Sequence, residues 1–224
     1  MRLLYSDILH PFDFRENIAQ ILVLESSTEF SVYVHELYQQ VNGGDGRWIL
    51  SELDNAYKFD KDVELIINPF AVDLNQKKLI NTLYNKLDEI TKSPDIWLSW
   101  NELYSKMVDV IEKQISPLEY DLGYSDSLEV KDFLKIMNLH FVDDSESVLE
   151  KLIDYVQLLH EVLNVRLFIF INIRSYLSPE DLQKLYKQVF YNKNFILLIE
   201  NDDNFIRQAD EEVIIIDKDH CIIF

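Results

Sequence analysis

Apolar positions along the chain fall into two rhythms. Residues 167–173 and 195–199 are nearly continuous apolar runs rich in Ile and Phe, the pattern of strands covered on both faces. Between them, Ser178, Pro179 and Asp181 mark a helix start: a hydroxyl cap, proline at the first helical position, and a carboxylate near the positive end of the helix dipole. Strand, capped helix and strand predict a right-handed crossover between strands of a parallel sheet. The compact run 20–26, QILVLES, predicts a central strand. Residues 30–41 follow as a helix with Phe30, Val34, Leu37 and Val41 on one face. Asn42-Gly43-Gly44-Asp45-Gly46 is the strongest turn signal. Residues 47–53 read as a strand or the lead into one, 63–67 as a short buried strand closed by Asn68-Pro69, and the tail VIIIDKDHCIIF as one or two more.

Between residues 74 and 163 the rhythm is helical throughout. Leu79, Leu83, Leu87 and Ile90 make one stripe. Ser93-Pro94-Asp95 opens a second helix, with Trp97, Trp100, Leu103, Met107, Val110 and Ile111 expected inward. A third covers roughly 128–137, and a fourth carries Val148, Leu149, Leu152, Val156, Leu159 and Leu163 on its apolar face. The expected fold class is therefore α/β: a discontinuous α/β head with a mostly parallel sheet, residues 1–73 and 164–224, interrupted by an α-helical leg, residues 74–163.

Composition narrows the class. At 224 residues, 48% hydrophobic and with four glycines, the chain can bury a real core and has few flexible linkers. One cysteine, Cys221, excludes an internal disulfide and a cysteine-based zinc site, and its apolar setting predicts a buried thiol. There is no secretory signal pattern and no apolar run of membrane-spanning length, which predicts a cytoplasmic protein without a membrane partner.

A net charge of −19 argues against nucleic acid, since phosphate affinity comes from Lys and Arg releasing counterions. The distribution modifies that. From 162 to 199 the only acids are Glu180 and Asp181, against Arg166, Arg174, Lys184, Lys187 and Lys193; from 74 to 87 there are none, against Lys77, Lys78 and Lys86. Either these basic islands meet an anionic partner or they are ordinary charge unevenness.

Candidate chemistry is sparse. The strand-to-helix turn at 25–29 is where a phosphate loop belongs, but Glu25-Ser26-Ser27-Thr28-Glu29 lacks the Gly and Lys of G-x-x-x-x-G-K-[ST] and carries two carboxylates that repel triphosphate. His10, His35, His140, His160 and His220 show no ligand spacing, and no serine sits in a G-x-S-x-G elbow. Glu119, Asp121 and Asp126 share one glycine-containing turn, and Asp143, Asp144 and Glu146 the next. Such loops supply oxygen ligands to calcium or cap and solvate helices; no EF-hand pattern decides for the metal.

The order of these pieces resembles a known family. YSDILHPFDF leads to ILVLES and a helix; VELIINPFAVDLNQKKLINTLYNKLDE joins a strand to the first leg helix; ESVLEKLIDYVQLLHEVLNVRLFIFINIRSYLSPEDLQKL runs from the last leg helix into strand, loop and capped helix; FILLIE follows. Length, order and insertion resemble the accessory adaptation protein of type II-A CRISPR systems, the Csn-two family. The resemblance implies a head related to phosphate-loop NTPases without a working nucleotide site, hence no enzyme. It further implies a homotetrameric ring that takes double-stranded DNA ends through a lysine-lined hole without sequence preference. It implies as well that bound calcium shapes the ring and that the partners are the integrase proteins and RNA-guided nuclease of the same CRISPR system, in spacer acquisition.

On that resemblance the acidic turn Asp121-Leu122-Gly123-Tyr124-Ser125-Asp126 corresponds to the family's calcium-binding turn, with Glu119, Asp121 and Asp126 as ligands and Gly123 and Ser125 where acids are expected. The DNA candidates come from the basic islands: Lys77, Lys78, Lys86, Arg174, Lys184, Lys187 and Lys193. Lys184 and Lys187, three apart on one helix, are expected to share a solvent face opposite Leu182, Leu185, Val189 and Phe190. The alternatives are an acidic protein-interaction adaptor without DNA binding and a divergent NTPase.

Overall fold

The computed structural model describes residues 1–6, 8, 10–52 and 55–223, with 55 and 56 described by their backbone. Parts of the opening YSDILHPFDF, the end of the 47–53 strand and the last residue of the tail lie outside the described residues. In chain order the elements are β1 (Arg2–Tyr5), β2 (Phe12–Asp13), β3 (Ala19–Leu24), α1 (Ser27–Val41), β4 (Trp48–Glu52), β5 (Asn55–Ala56), α2 (Phe59–Asp62), β6 (Val63–Ile66), α3 (Lys77–Thr91), α4 (Pro94–Ile115), α5 (Val130–Ile136), α6 (Val148–Leu158), β7 (Leu167–Ile171), α7 (Pro179–Tyr191), β8 (Phe195–Glu200), β9 (Glu211–Ile216) and β10 (Ile222–Ile223). They form two compact units, one of Met1–Leu74 with Asp143–Phe224 and one of Asn75–Val142.

The first unit is mixed α/β. Its six-stranded sheet has the order β10-β9-β3-β8-β7-β6, parallel except where β10 pairs antiparallel with β9. Every residue of β3 and β7 is buried, which is why both read as unbroken apolar runs: central parallel strands have no solvent face. A four-stranded antiparallel sheet, β2-β1-β4-β5, is built from the first residues and the segment after α1. Leu3, Tyr5, Trp48 and Leu50 of that sheet, with Tyr33 and Leu37 of α1, pack against Leu22, Leu24, Ile169, Ile199 and Ile216. Gln40 fixes the contact. Its side-chain amide donates to the Trp48 carbonyl at 2.9 Å and its oxygen accepts the Trp48 N–H at 3.0 Å, both in the core. Gly46 is needed here, because a Cβ would run into the Gln40 side chain.

On α6 and α7 the buried positions are Leu152, Tyr155 and Val156, and Leu182, Leu185, Tyr186 and Val189. Each such side chain contributes about 1.5–3 kcal/mol on burial. Caps set the helix starts as the sequence suggests: Ser178 Oγ accepts from the Asp181 N–H at 3.2 Å, with Pro179 at the first position. Ser147 does the same for α6 through the Glu150 N–H at 3.2 Å. Helix α6, expected within the inserted segment, lies in the first compact unit and packs beside α7. Its last turn widens to a π-helix at Leu159–Leu163 and ends on Asn164 with φ of 58°.

The second unit holds α3, α4 and α5. Tyr84 donates to the Leu139 carbonyl at 2.9 Å, and Asn75 exchanges two hydrogen bonds with the Phe141 backbone, at 2.9 and 2.8 Å. Trp100 stacks edge-on against Phe133 at 5.2 Å. Trp97 and Val110, expected inward with Trp100, are 56% and 54% exposed. The 22-residue α4 has more apolar circumference than α3 and the seven-residue α5 cover. Cys221, expected buried, is exposed, because β10 is a two-residue edge strand with little above it.

Candidate nucleic-acid interface

The β3–α1 turn, where a phosphate loop belongs, holds anions of its own. Ser26 caps α1 by accepting the Glu29 N–H at 3.4 Å. The Glu29 carboxylate lies in the first helical turn and meets His220 Nδ1 of the β9–β10 turn at 2.7 Å. A cavity of about 340 Å³ beside it is lined by Thr28, Glu29, Val32, Tyr33, Arg47, Ile216, His220 and Ile222. Arg47 forks onto Glu36 at 2.7 Å and stacks on Tyr5 at 4.8 Å. A carboxylate at a helix N-terminus takes the place a phosphate would want. The turn offers no glycine cradle, and Arg47 is committed to Glu36 rather than open to a triphosphate.

The cations expected to meet DNA fall in different settings. On α7, Glu180, Lys184, Lys187 and Tyr191 are exposed at helical spacing, so Lys184 and Lys187 share an outward stripe, and Leu182, Leu185 and Val189 are buried as expected. Lys184 is paired with Asp181 at 2.9 Å, which raises the lysine and lowers the carboxylate. At an exposed site such a pair is weak and can be exchanged for a phosphate. Lys187 is exposed, and no salt bridge is found for it among the described residues. Lys193, just beyond α7, is exposed and held at φ of 55°.

Arg174 stands apart. Its guanidinium pairs with Glu211 at 2.6 Å, the two side chains being 11% and 0% exposed, and it lies 3.9 Å over the Phe205 ring. Glu211 also accepts from the Tyr186 hydroxyl at 2.8 Å and the Gln208 N–H at 2.9 Å. Glu200, 4% exposed, accepts the Arg174 backbone N–H at 3.4 Å. Burial pushes its carboxyl up to about 7, against the pull of Arg174. Arg174 therefore holds the head together from within, and its charge is spent on Glu211. Sequence placed it in a basic island because Glu211, 37 residues on, is close only in space.

In the second unit Lys77 and Lys78 occupy the first turn of α3, which has no acidic residue, and Lys86 lies two turns further along; all three are exposed. Cations at a helix N-terminus oppose the dipole by some tenths of a kcal/mol. Their position therefore does not serve helix stability.

Glu119, Asp121 and Asp126 lie exposed on the segment between α4 and α5. That segment is tied to α4 by its carbonyls instead: Tyr104 donates to Ser125 O at 2.7 Å and Trp100 to Leu128 O at 3.3 Å, while Tyr124 donates to Glu112 at 2.7 Å. Among the described residues no three or more His, Cys, Asp or Glu side chains gather in a metal-holding group. The donors suit calcium chemically, but the three carboxylates do not converge, so they do not fit a ready-made ion site. The neighbouring acidic segment is engaged in capping and pairing: Asp143 meets Lys151 at 2.7 Å, which lowers its carboxyl, and Ser145 donates to Asp143 at 3.1 Å.

Fold and site together define a class: a mixed α/β unit whose strand-turn-helix skeleton carries no phosphate cradle, interrupted by a helical unit, with exposed cations on an acidic protein. The chain belongs to the Cas_Csn2 family of CRISPR-associated proteins, whose family model matches residues 40–220. It is similar to the CRISPR-associated protein Csn2 of Streptococcus agalactiae, 23% identical over 208 residues that cover 92% of this chain and 90% of the relative. The protein of the same name from Enterococcus faecalis is 23% identical over 203 residues, covering 89% and 90%. Among the described residues no helix is long and apolar enough to cross a membrane.

Proposed function

We propose that this protein binds double-stranded DNA ends without sequence preference, as a homotetrameric ring acting in CRISPR spacer acquisition in the cytoplasm. The single observation that carries this reading is membership of the Cas_Csn2 family across residues 40–220. Its head keeps the strand-turn-helix skeleton of phosphate-loop NTPases, and Glu29 with His220 stands where triphosphate would bind, so the work is binding rather than turnover. Phosphates are met by Lys187 and Lys193 of the head, with Lys184 recruited from its exposed pair, and by Lys77, Lys78 and Lys86 of the helical unit. Contacts of this kind position a duplex without reading bases. Exposed Trp97, Leu98, Val110, Ile136 and Met137 favour burial of the helical unit in an assembly. The integrase proteins and RNA-guided nuclease of the same system are the expected partners. Calcium rests on the family alone and would require carboxylates that the described residues of a single chain leave dispersed.

Mobility shifts of linear and covalently closed duplex at two salt concentrations test the reading. Retention of linear DNA of any sequence, lost at high salt, is expected; failure to retain linear duplex, with or without calcium, overturns it.

A further inference from the structure

The short helix α2 and two loops meet at the edge of the six-stranded sheet where β6, β7 and β8 begin. The Arg166 N–H donates to the Asp62 carbonyl at 2.9 Å, and the Phe195 N–H donates to the Arg166 carbonyl at 2.9 Å. These bonds continue the parallel ladders of β6 with β7 and β7 with β8. The backbones of neighbouring segments therefore step by about 4.8 Å, the strand spacing of any sheet. Each segment carries a cation: Lys61 in α2 beside Asp62, Arg166 itself, and Lys193 two residues before Phe195. Lys61 and Lys193 are exposed, and no salt bridge is found for either among the described residues. Arg166 is 39% exposed, lies 5.8 Å over the Tyr57 ring and only grazes Glu52 at 4.0 Å. Lys61 has an acid on each side in sequence, Asp60 and Asp62, and Asp62 is turned back onto the Lys58 N–H at 2.7 Å. Tyr191, the last residue of α7, is 85% exposed next to this edge, with Lys187 one turn before it.

Lys193 adds a backbone observation. It sits at φ of 55°, a conformation in which Asn is several-fold enriched and long side chains are uncommon. The corresponding turn after α6, two residues ahead of Arg166, places Asn164 at φ of 58°. A lysine thus stands where local geometry favours asparagine, with its ammonium in solvent.

We propose that Lys61, Arg166 and Lys193, flanked by Lys187 and Tyr191, form a phosphate-binding track along this sheet edge that grips one strand of a nucleic-acid backbone. The proposal rests on the DNA-binding function above and names a surface for it on the head. Cations carried by neighbouring segments at the strand starts meet phosphates of any sequence, and the exposed tyrosine offers a ring for a base or sugar at the end of the row.

The test measures anisotropy of labelled linear duplex across a salt series for the parent, Lys61→Glu/Lys193→Glu and Lys193→Asn. The double variant should bind more than tenfold more weakly at low salt. The slope of log affinity against log salt should become shallower by about 0.9 for each phosphate no longer neutralised. Lys193→Asn suits the left-handed backbone, so its melting temperature should hold or rise while affinity and slope still fall. Both variants binding like the parent overturns the track and leaves DNA binding intact. Weaker binding with an unchanged salt slope assigns the residues a structural role and also overturns it. A parent that retains no duplex overturns track and function together.

Discussion

Replacing Arg174 by Met separates an internal ion pair from a DNA contact. The substitution keeps most of the aliphatic volume and removes the charge that faces Glu211 at 2.6 Å, where the carboxylate is 0% exposed. Breaking a buried pair by removing one partner costs about 3–5 kcal/mol, because the other charge stays behind desolvated. Loss of the Phe205 stack at 3.9 Å adds about 0.5–2 kcal/mol. The Tyr186 hydroxyl and Gln208 N–H still hold the carboxylate, at 2.8 and 2.9 Å, which offsets part of the loss. A net destabilisation of about 3 kcal/mol follows, or about 6–12 °C in melting temperature for a chain of this length. Thermal melts of the parent, Arg174→Met, Glu211→Gln and the double variant close a cycle whose coupling should reach about 2 kcal/mol. If the single variant loses less than about 1 kcal/mol but binds duplex poorly, Arg174 faces phosphate instead, and the account of the network is wrong.

Glu200→Gln should stabilise the protein at pH 8 and change little near pH 5. Its carboxyl is raised to about 7 in the fold from 4.5, so the folded state binds more protons than the unfolded one in that window, and stability from this group falls as pH rises from about 4.5 to about 7; equal melting differences at both pH values would refute it. If the proposed ring forms, Lys184→Glu/Lys187→Glu should lower its duplex affinity more than tenfold without dissociating it, since repeated exposed contacts of about 1 kcal/mol would add across subunits; an assembled variant with parental affinity moves the DNA path off α7. Sedimentation in excess chelator should show a loosened assembly if calcium bridges carboxylates of different chains, and an unchanged profile removes calcium from the function. Ser147→Ala should cost about 1 kcal/mol through the lost cap on α6, read by urea denaturation, and a change below a few tenths would show the Glu150 N–H satisfied otherwise.

Local chemistry was legible in the sequence because it depends on near neighbours. Continuous apolar runs identified β3, β7 and β8. Proline, hydroxyl and carboxylate placed the start of α7 to the residue, and the missing glycines and lysine of the 25–29 turn already spoke against a phosphate site. Exposed lysines at i and i+3 on α7 followed from helical geometry alone. The N-terminal strands went unseen: β1 and β2 are four and two residues long, too short for a periodic signal, and exist because β4 pairs with β1 after a whole helix has intervened.

What tertiary structure alone decided is which charges are already satisfied. Arg174 and Lys193 look alike in a basic island, yet one is buried on Glu211 and the other stands in solvent. Lys61, far from the other two along the chain, joins Arg166 and Lys193 only because β6, β7 and β8 are neighbours in the sheet. Trp97 fits the apolar stripe of α4 but faces solvent because too few helices surround it. Patterning specifies which face of an element is apolar; sheet order and helix count determine what that face, and every charge on it, has left to meet.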